Sequence, residues 1–297
     1  MRTPRPGPVL VLAALDLEYE AVRNHLTELT IFRKEGTLFE RGRLPGGGDA
    51  VLALIGAGNL GAAALTERAR EAFSPRVLLM VGVAGALKDD IELGDIVVAE
   101  KIYAYHGAKA ESADHLARPT AWEADHELLQ LAHHISREKS WTRYLVADSA
   151  RRQPTVHFKP VAAGEVVLNS RESPLARQLH STFNDAAAIE MESSGIAKAG
   201  GLSRSLPVLT IRGISDRADG VKQAADRAGS QPAAAANAAA FALALAVALH
   251  TDIASTPDDT QPQSGPMTQF VLSTGGTSYN VLGGNLYNHP GPPATSA

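Results

Sequence analysis

Short apolar runs alternate along this chain with stretches of helical periodicity, the pattern of an α/β protein. Val9 to Ala14 reads as a buried strand, followed by Asp16 as a helix N-cap and by Leu17, Ala21, Val22 and Leu26 at helical spacing. Two β-like segments follow, Leu29 to Lys34 and Thr37 to Leu44, then a Pro-Gly turn and a strand over Val51 to Ile55. An Ala-rich helix ends near Phe73, a strand is predicted over Val77 to Met80, Leu93 to Val98 turns through Gly94-Asp95 into another strand, and Val161 to Asn169 is a further strand-like run. Helices are predicted over Trp122 to Ile135 and Pro174 to Thr182, and a strand over Ala186 to Met191 leads into a helix starting near Ser193. Pro207 to Ile211 is an apolar strand that ends in Arg212, Ser215 and Asp216, and Ala233 to Leu249 is an Ala/Leu helix that would close the domain.

The pattern changes near Thr251. Residues 255–266 are dominated by Ser, Thr, Pro, Asp and Gln, the composition of a disordered linker. Met267 to Asn288 carries no charge, is rich in Gly and Asn, and contains the strand formers Phe270, Val271, Tyr279, Val281 and Tyr287. The expected organisation is one folded domain over residues 1–250, a linker over 251–266, and a mostly disordered tail over 267–297. In-register β stacking of the tail is the alternative to plain disorder.

Composition narrows the function. With 297 residues and 44% hydrophobic content the chain can bury a substantial core. A net charge of −4 supplies no basic field, so nucleic acid is a poor partner and a small molecule a better one. The absence of cysteine excludes disulfides, thiolate metal sites and a Cys nucleophile. The apolar run Val9 to Leu15 is short and leads directly into Asp16, Glu18 and Glu20, so it reads as a strand and not as a secretion signal. Ala233 to Leu249, interrupted by Asn237, falls short of the roughly 18 residues of a membrane span. A cytoplasmic, membrane-free protein is the expectation.

The polar residues at predicted strand ends are the candidate chemistry. In open α/β sheets ligands bind at that rim. Asp216 reads either as a proton donor there or, with Asp219, as a turn former and cap. Glu18, in a first helical turn, is either a macrodipole partner or a carboxylate aimed into the same rim. Glu190 and Glu192 stand two apart and share one face. Buried, they need a partner such as a sugar hydroxyl; exposed, they are helix-start acids. Gly56, Gly58 and Gly61 match the dinucleotide glycine spacing, but no acid ends the following strand, so they read as a tight turn with close backbone approach. His126, Glu127, His133 and His134 fail the zinc-protease spacing because Gln130 stands at the second His position, and they read as a solvated helix face.

Taken together and in order, Val81 to Ala99, Ala188 to Ile196 and Leu209 to Gly220 resemble the purine nucleoside and uridine phosphorylase superfamily, nearest its 5′-methylthioadenosine/S-adenosylhomocysteine nucleosidase branch. The resemblance implies a three-layer α/β/α sandwich around a mixed, partly closed sheet, homo-oligomers in which a neighbour often completes the pocket, and no cofactor or metal. It implies hydrolysis of the N-glycosidic bond of a purine nucleoside or nucleotide, with a phosphate-dependent phosphorylase as the alternative. Asp216 would protonate N7, with Ser215 and Arg212 orienting it. Glu192 would hold the ribose hydroxyls, with Met191 packed on the sugar and Glu190 in support, and Glu18 would position the attacking water. Gly82, Val83 and Ala84 would approach the substrate through the backbone, Val166, Val167 and Leu168 would wall the base, and His106 joins the substrate-binding set. Val167 stands where an aromatic residue is usual, and Val83 where a hydroxyl is usual. Lys109, Arg118, Lys159 and Arg23 would either contact a 5′-phosphate or be ordinary surface charge. The tail more loosely resembles Gly/Asn-rich amyloid signalling motifs at the ends of immune-like effectors. That likeness implies a partner with a matching motif, or a nucleoside sensor that assembles through its tail.

Overall fold

Successive residues of the first strand, β1 (Val9–Ala13), serve two different cores, because side chains alternate across a strand. Val9 and Val11 pack in one cluster, Leu10 and Leu12 in another. Burial on both faces explains the unbroken apolar run. The computed structural model describes residues 7–110, 115–146, 152–202, 206–219, 229–255, 271–274, 277–282 and 285–289. The predicted linker beyond Ser255, Gly220 of the central motif and both ends of the tail lie outside the described residues.

Before the sheet reaches its centre the chain runs α1 (Asp16–Arg23), β2 (Thr27–Lys34), β3 (Thr37–Arg43), β4 (Asp49–Leu54) and α2 (Asn59–Phe73). It continues through β5 (Val77–Ala86), β6 (Ile96–Ala104), the short β7 (Ala108–Ala110) and β8 (His115–Ala117), β9 (Thr120–Glu123) and α3 (His126–Glu138). After β10 (Val156–Ala163) come α4 (Pro174–Thr182), β11 (Ala188–Glu190), α5 (Ser193–Leu202), β12 (Val208–Asp216) and α6 (Ser230–Ser255). The main sheet is mixed, ordered β11-β10-β6-β12-β5-β1-β4-β3-β2, and β11 also pairs with β5. That extra pairing closes β5, β12, β6, β10 and β11 into a ring while β1, β4, β3 and β2 extend from it. The expected partly closed sheet is therefore present. Helices α1, α3 and α6 cover one face through Val22, Leu128, Ile135 and Phe241, and α2 and α5 cover the other through Ala62, Ala69 and Ile196.

Several boundaries differ from the sequence reading. Trp122 belongs to β9, and α3 begins four residues later, where Asp125 caps it by accepting the Leu128 N–H. α1 is preceded by Leu15 and not capped by Asp16; Glu18 at its third position supplies the acceptor instead. β6 starts at Ile96 after the expected turn at Gly94 and runs to Ala104, beyond the predicted Val98. β10 runs over Val156–Ala163, so Val166, Val167 and Leu168 have already left the sheet. β12 continues through Asp216, because β5 pairs with one edge as far as Asp216 and β6 with the other from Ile211 to Gly213.

α6 is long and apolar enough to cross a membrane, yet 67% of that window is buried in the core. Its Asn237, which interrupts the apolar pattern, is buried and donates to Gly94 O at 2.8 Å. The helix also runs on to Ser255, past the predicted domain end. By its contacts the chain divides into two units, Met1–Ala254 and Ser255–Ala297. In the second, β13 (Val271–Thr274), β14 (Thr277–Leu282) and β15 (Asn285–His289) form an antiparallel sheet with β14 at its centre.

Candidate active site

One edge of β5 changes partner along its length. Val77–Met80 pair with β1, while Gly85 and Ala86 pair with β11. In the gap between these partners the Val83 N–H donates to Glu18 Oε1 at 2.7 Å. A buried amide must find some acceptor, and here it finds a side chain. Glu18 comes from the first turn of α1, where its Oε2 accepts the N–H groups of Ala14 at 2.8 Å and Leu15 at 2.9 Å. This is half of a capping box; Leu15 has no side-chain acceptor for the other half. The reach back toward the strand leaves Glu18 buried at the sheet rim.

Arg212, on β12, is fully buried beside it, with Nη1 3.9 Å from Glu18 Oε1. Its Nη2 lies 3.0 Å from Glu192 Oε2 and also contacts Glu190 Oε2. Gly82 makes this possible: an added Cβ there would fall inside contact distance of both Arg212 Nη1 and Glu18 Oε1. Burial by itself would lower the Arg212 pKa, but Glu190, Glu192 and Glu18 outweigh it and raise it above its ordinary value.

Glu190 ends β11 and accepts the N–H groups of Glu192 and Ser193 and the Ser193 hydroxyl, so it caps the start of α5. Glu192 is left facing the cavity, with Oε2 toward Arg212 and Oε1 accepting the Gly58 N–H at 3.3 Å. Three glutamates around one guanidinium leave excess negative charge in a buried place. Burial first, then Glu190 and Glu18, pushes the Glu192 carboxyl up to about 7 against the opposing pull of Arg212 and the Gly58 N–H.

Asp216 is aimed by a bulge. The pairing of β12 with β5 shifts between Ile214 and Asp216, so Ser215 is an extra residue in the ladder. The Ser215 hydroxyl sits 3.0 Å from Asp216 Oδ2, and Oδ1 accepts the Ala218 N–H at 3.0 Å. Gly85 leaves the space for this, since a Cβ there would stand 2.8 Å from Asp216 Oδ1.

These acids meet in one cavity of about 310 Å³, within the size range of small-molecule sites. Of the residues singled out in the sequence, Glu18, Val83, Ala84, Val166, Val167, Leu168, Glu190, Met191, Glu192, Ser215 and Asp216 line it. Gly82, Arg212 and His106 do not. The first two support the glutamates from within the core, whereas His106 is exposed, packed on the Tyr105 ring and beside the Glu165 N–H. None of the four proposed phosphate contacts reaches this cavity: Arg23 pairs with Glu40, Lys159 lines a separate cleft of about 860 Å³, and Lys109 and Arg118 are exposed. Ala57 and Gln231 also line the cavity and were missed. Ala57 had a signal in its glycine-rich loop; Gln231, brought in by the first turn of α6, had none. His126 and His134 are exposed on α3 as expected, while His133 stacks on Phe158. Among the described residues no group of His, Asp and Glu side chains is placed to hold a metal ion.

A profile of the phosphorylase superfamily matches residues 8–247. The 5′-methylthioadenosine/S-adenosylhomocysteine nucleosidase of Maridesulfovibrio salexigens is 32% identical over 212 residues, covering 70% of this chain and 84% of that one. The ATP nucleosidase Cap17 of Escherichia coli is 28% identical over 195 residues, which is 58% of this chain and 37% of that longer protein. Among solved structures, the Neisseria meningitidis 5′-methylthioadenosine/S-adenosylhomocysteine nucleosidase with methylthio-immucillin-A superposes with a TM-score of 0.68 at 22% identity, over 82% of this chain and 99% of that one.

Proposed function

The chain belongs to the phosphorylase superfamily, and from that membership we propose that it is an N-glycosidase that hydrolyses the bond between base and sugar of a purine nucleoside or nucleotide. The observation that carries this reading is that Glu18, Glu192 and Asp216 line a single cavity. A purine is a poor leaving anion. As the C1′–N9 bond breaks, Asp216 gives a proton to N7 so that the electron pair leaves on a neutral base, a contribution of about 10²–10⁴-fold. Glu192 holds the ribose hydroxyls and stabilises the positive charge that develops at C1′, with Met191 against the sugar. Water then bonds to C1′ through its oxygen and gives a proton to Glu18. Three backbone N–H groups already occupy that carboxylate, leaving one of its roughly four acceptor sites for the water.

Water is favoured over phosphate as nucleophile by the same contacts. The Ala14 and Leu15 amides, which could hold an anion, are taken by the chain's own carboxylate. Incubating the protein with adenosine, methylthioadenosine and ATP, with and without inorganic phosphate, tests both points. Free adenine is expected without phosphate; release that requires phosphate would make the protein a phosphorylase, and none from any substrate would end the nucleosidase reading. The named relatives differ at the 5′ position of their substrates, and the same assay ranks the 5′ groups.

We further propose that the tail acts by assembly, which would make the enzyme an effector recruited by a partner with a matching segment. Its support is a charge-free, strand-forming composition together with β13 and β15, which each pair only with β14 among the described residues. A peptide of residues 267–288 is expected to form dye-binding fibrils; a peptide that stays soluble and dye-negative overturns assembly.

A further inference from the structure

The glycine-rich GAGNLG segment meets the cavity through Ala57 and the Gly58 N–H, and no step of the reaction above is assigned to it. Gly56 and Gly58 adopt φ of +71° and +108°, and the loop ends at Asn59, the first residue of α2. The first N–H groups of a helix have no partner within it. Here the Gly58 N–H goes to Glu192 Oε1 at 3.3 Å and the Asn59 N–H to Glu165 Oε1 at 3.0 Å. The Asn59 side chain, itself buried, makes three further bonds. Its Nδ2 donates to Gly164 O at 3.0 Å, and its Oδ1 accepts from the Ser194 hydroxyl at 2.6 Å and the Gly195 N–H at 2.9 Å.

One amide therefore joins three segments: the start of α2, the exit of β10 that becomes the Val166–Leu168 wall, and the first turn of α5 that follows Glu192. The joint is tight, because an added Cβ on Gly195 would fall inside contact distance of Asn59 O. We infer that Asn59 is a positioning residue of this enzyme: it holds the Gly58 N–H on Glu192 and sets the cavity wall in register with that glutamate. The inference rests on the nucleosidase reading for its consequence in catalysis. Glu192 is faced by Arg212 from β12, Glu190 from β11, Glu18 from α1 and the Gly58 N–H at the head of α2, with Glu165 on the neighbouring Asn59 N–H. Of these, the Gly58 N–H is the group whose place Asn59 determines. It favours the charged carboxylate, so displacing it makes Glu192 take up its proton at higher pH.

The test uses Asn59→Ala and Ser194→Ala in the full chain. The Glu192 titration is followed without substrate by carboxyl infrared or carbon NMR, with Glu192→Gln identifying the signal. Asn59→Ala is expected to move that titration upward by about half to one pH unit and to raise KM about tenfold, more than it lowers kcat. Ser194→Ala, which removes one bond from the same joint and serves if Asn59→Ala does not fold, should shift both in the same direction by less. Wild-type titration and wild-type KM in the folded variants overturn the inference. A wild-type chain that releases no base overturns the nucleosidase reading instead, and the substrate-free titration still decides whether Asn59 and Glu192 are coupled.

Discussion

At the scale of the residue, Asp216 and Glu192 differ in what holds them, and their variants should differ accordingly. Asp216→Asn keeps an oxygen for the Ala218 N–H but cannot protonate a leaving base, so kcat should fall by about 10²–10⁴-fold with little change in melting temperature, measured as adenine release beside a thermal melt. Burial, with Glu190 and Glu18 beside it, pushes the Glu192 carboxyl up to about 7, and in the proposed role on the sugar hydroxyls the ionised form is the better acceptor, so kcat/KM should rise with pH through about 7. The effect on stability has the opposite sign. A carboxyl raised from 4.5 to about 7 on folding contributes stability below pH 4.5 that is lost as pH rises to about 7, on the order of 3 kcal/mol at most. Denaturant melts across that range should show the decline in wild type and its removal in Glu192→Gln. Asp216 and Glu192 could be proposed from their motifs; the joint made by Asn59 could not, because its partners are 105 to 136 residues away in the chain.

At the scale of the element, the site exists because β5 loses one neighbour before it gains the next. The glycines of β5 and β12 mark where other groups come close to the sheet. Gly82→Ala should displace Arg212 and Glu18 together and abolish base release, with a loss of about 1–3 kcal/mol in unfolding free energy. Gly213 lies under α6, where a Cβ would fall inside contact distance of the Ala234 backbone. Gly213→Ala should push that helix outward, and since Ser230 Oγ donates to Ser215 O and Gln231 lines the cavity, activity and thermal stability should drop together. The strands were legible as short unbroken apolar runs and the helices as a period of 3.6, with errors where a cap or a neighbouring strand overruled the pattern. Asp125 started α3 late, and pairing on both edges carried β12 through a charged residue that looked like an end.

At the scale of the whole molecule, the division near Ala254 separates two kinds of sequence. A chain ending at residue 254 should retain base release and its melting transition, while losing any tail-driven assembly; enzyme assays and light scattering on the two lengths check this. The closed ring of β5, β12, β6, β10 and β11 is what makes the first unit more than an open sheet, since it brings the ends of β11 and β12 to the two opposite edges of β5 at Gly85.

Short apolar runs alternating with stretches of helical period determined from the sequence alone that this chain folds as a layered α/β protein, and the order of its motifs pointed to the family and the candidate acids. Those properties are local, carried by residues a few positions apart, and so they survive without a structure. Which glutamate keeps a free face, which one caps a helix, why Arg212 can be buried and what the glycine-rich loop approaches were decided only by tertiary structure. The Glu190 cap is itself local, but the free face of Glu192, the burial of Arg212 and the approach of the loop depend on groups distant in the chain meeting within hydrogen-bond range in a buried place, where charge balance and packing hold across all of them at once.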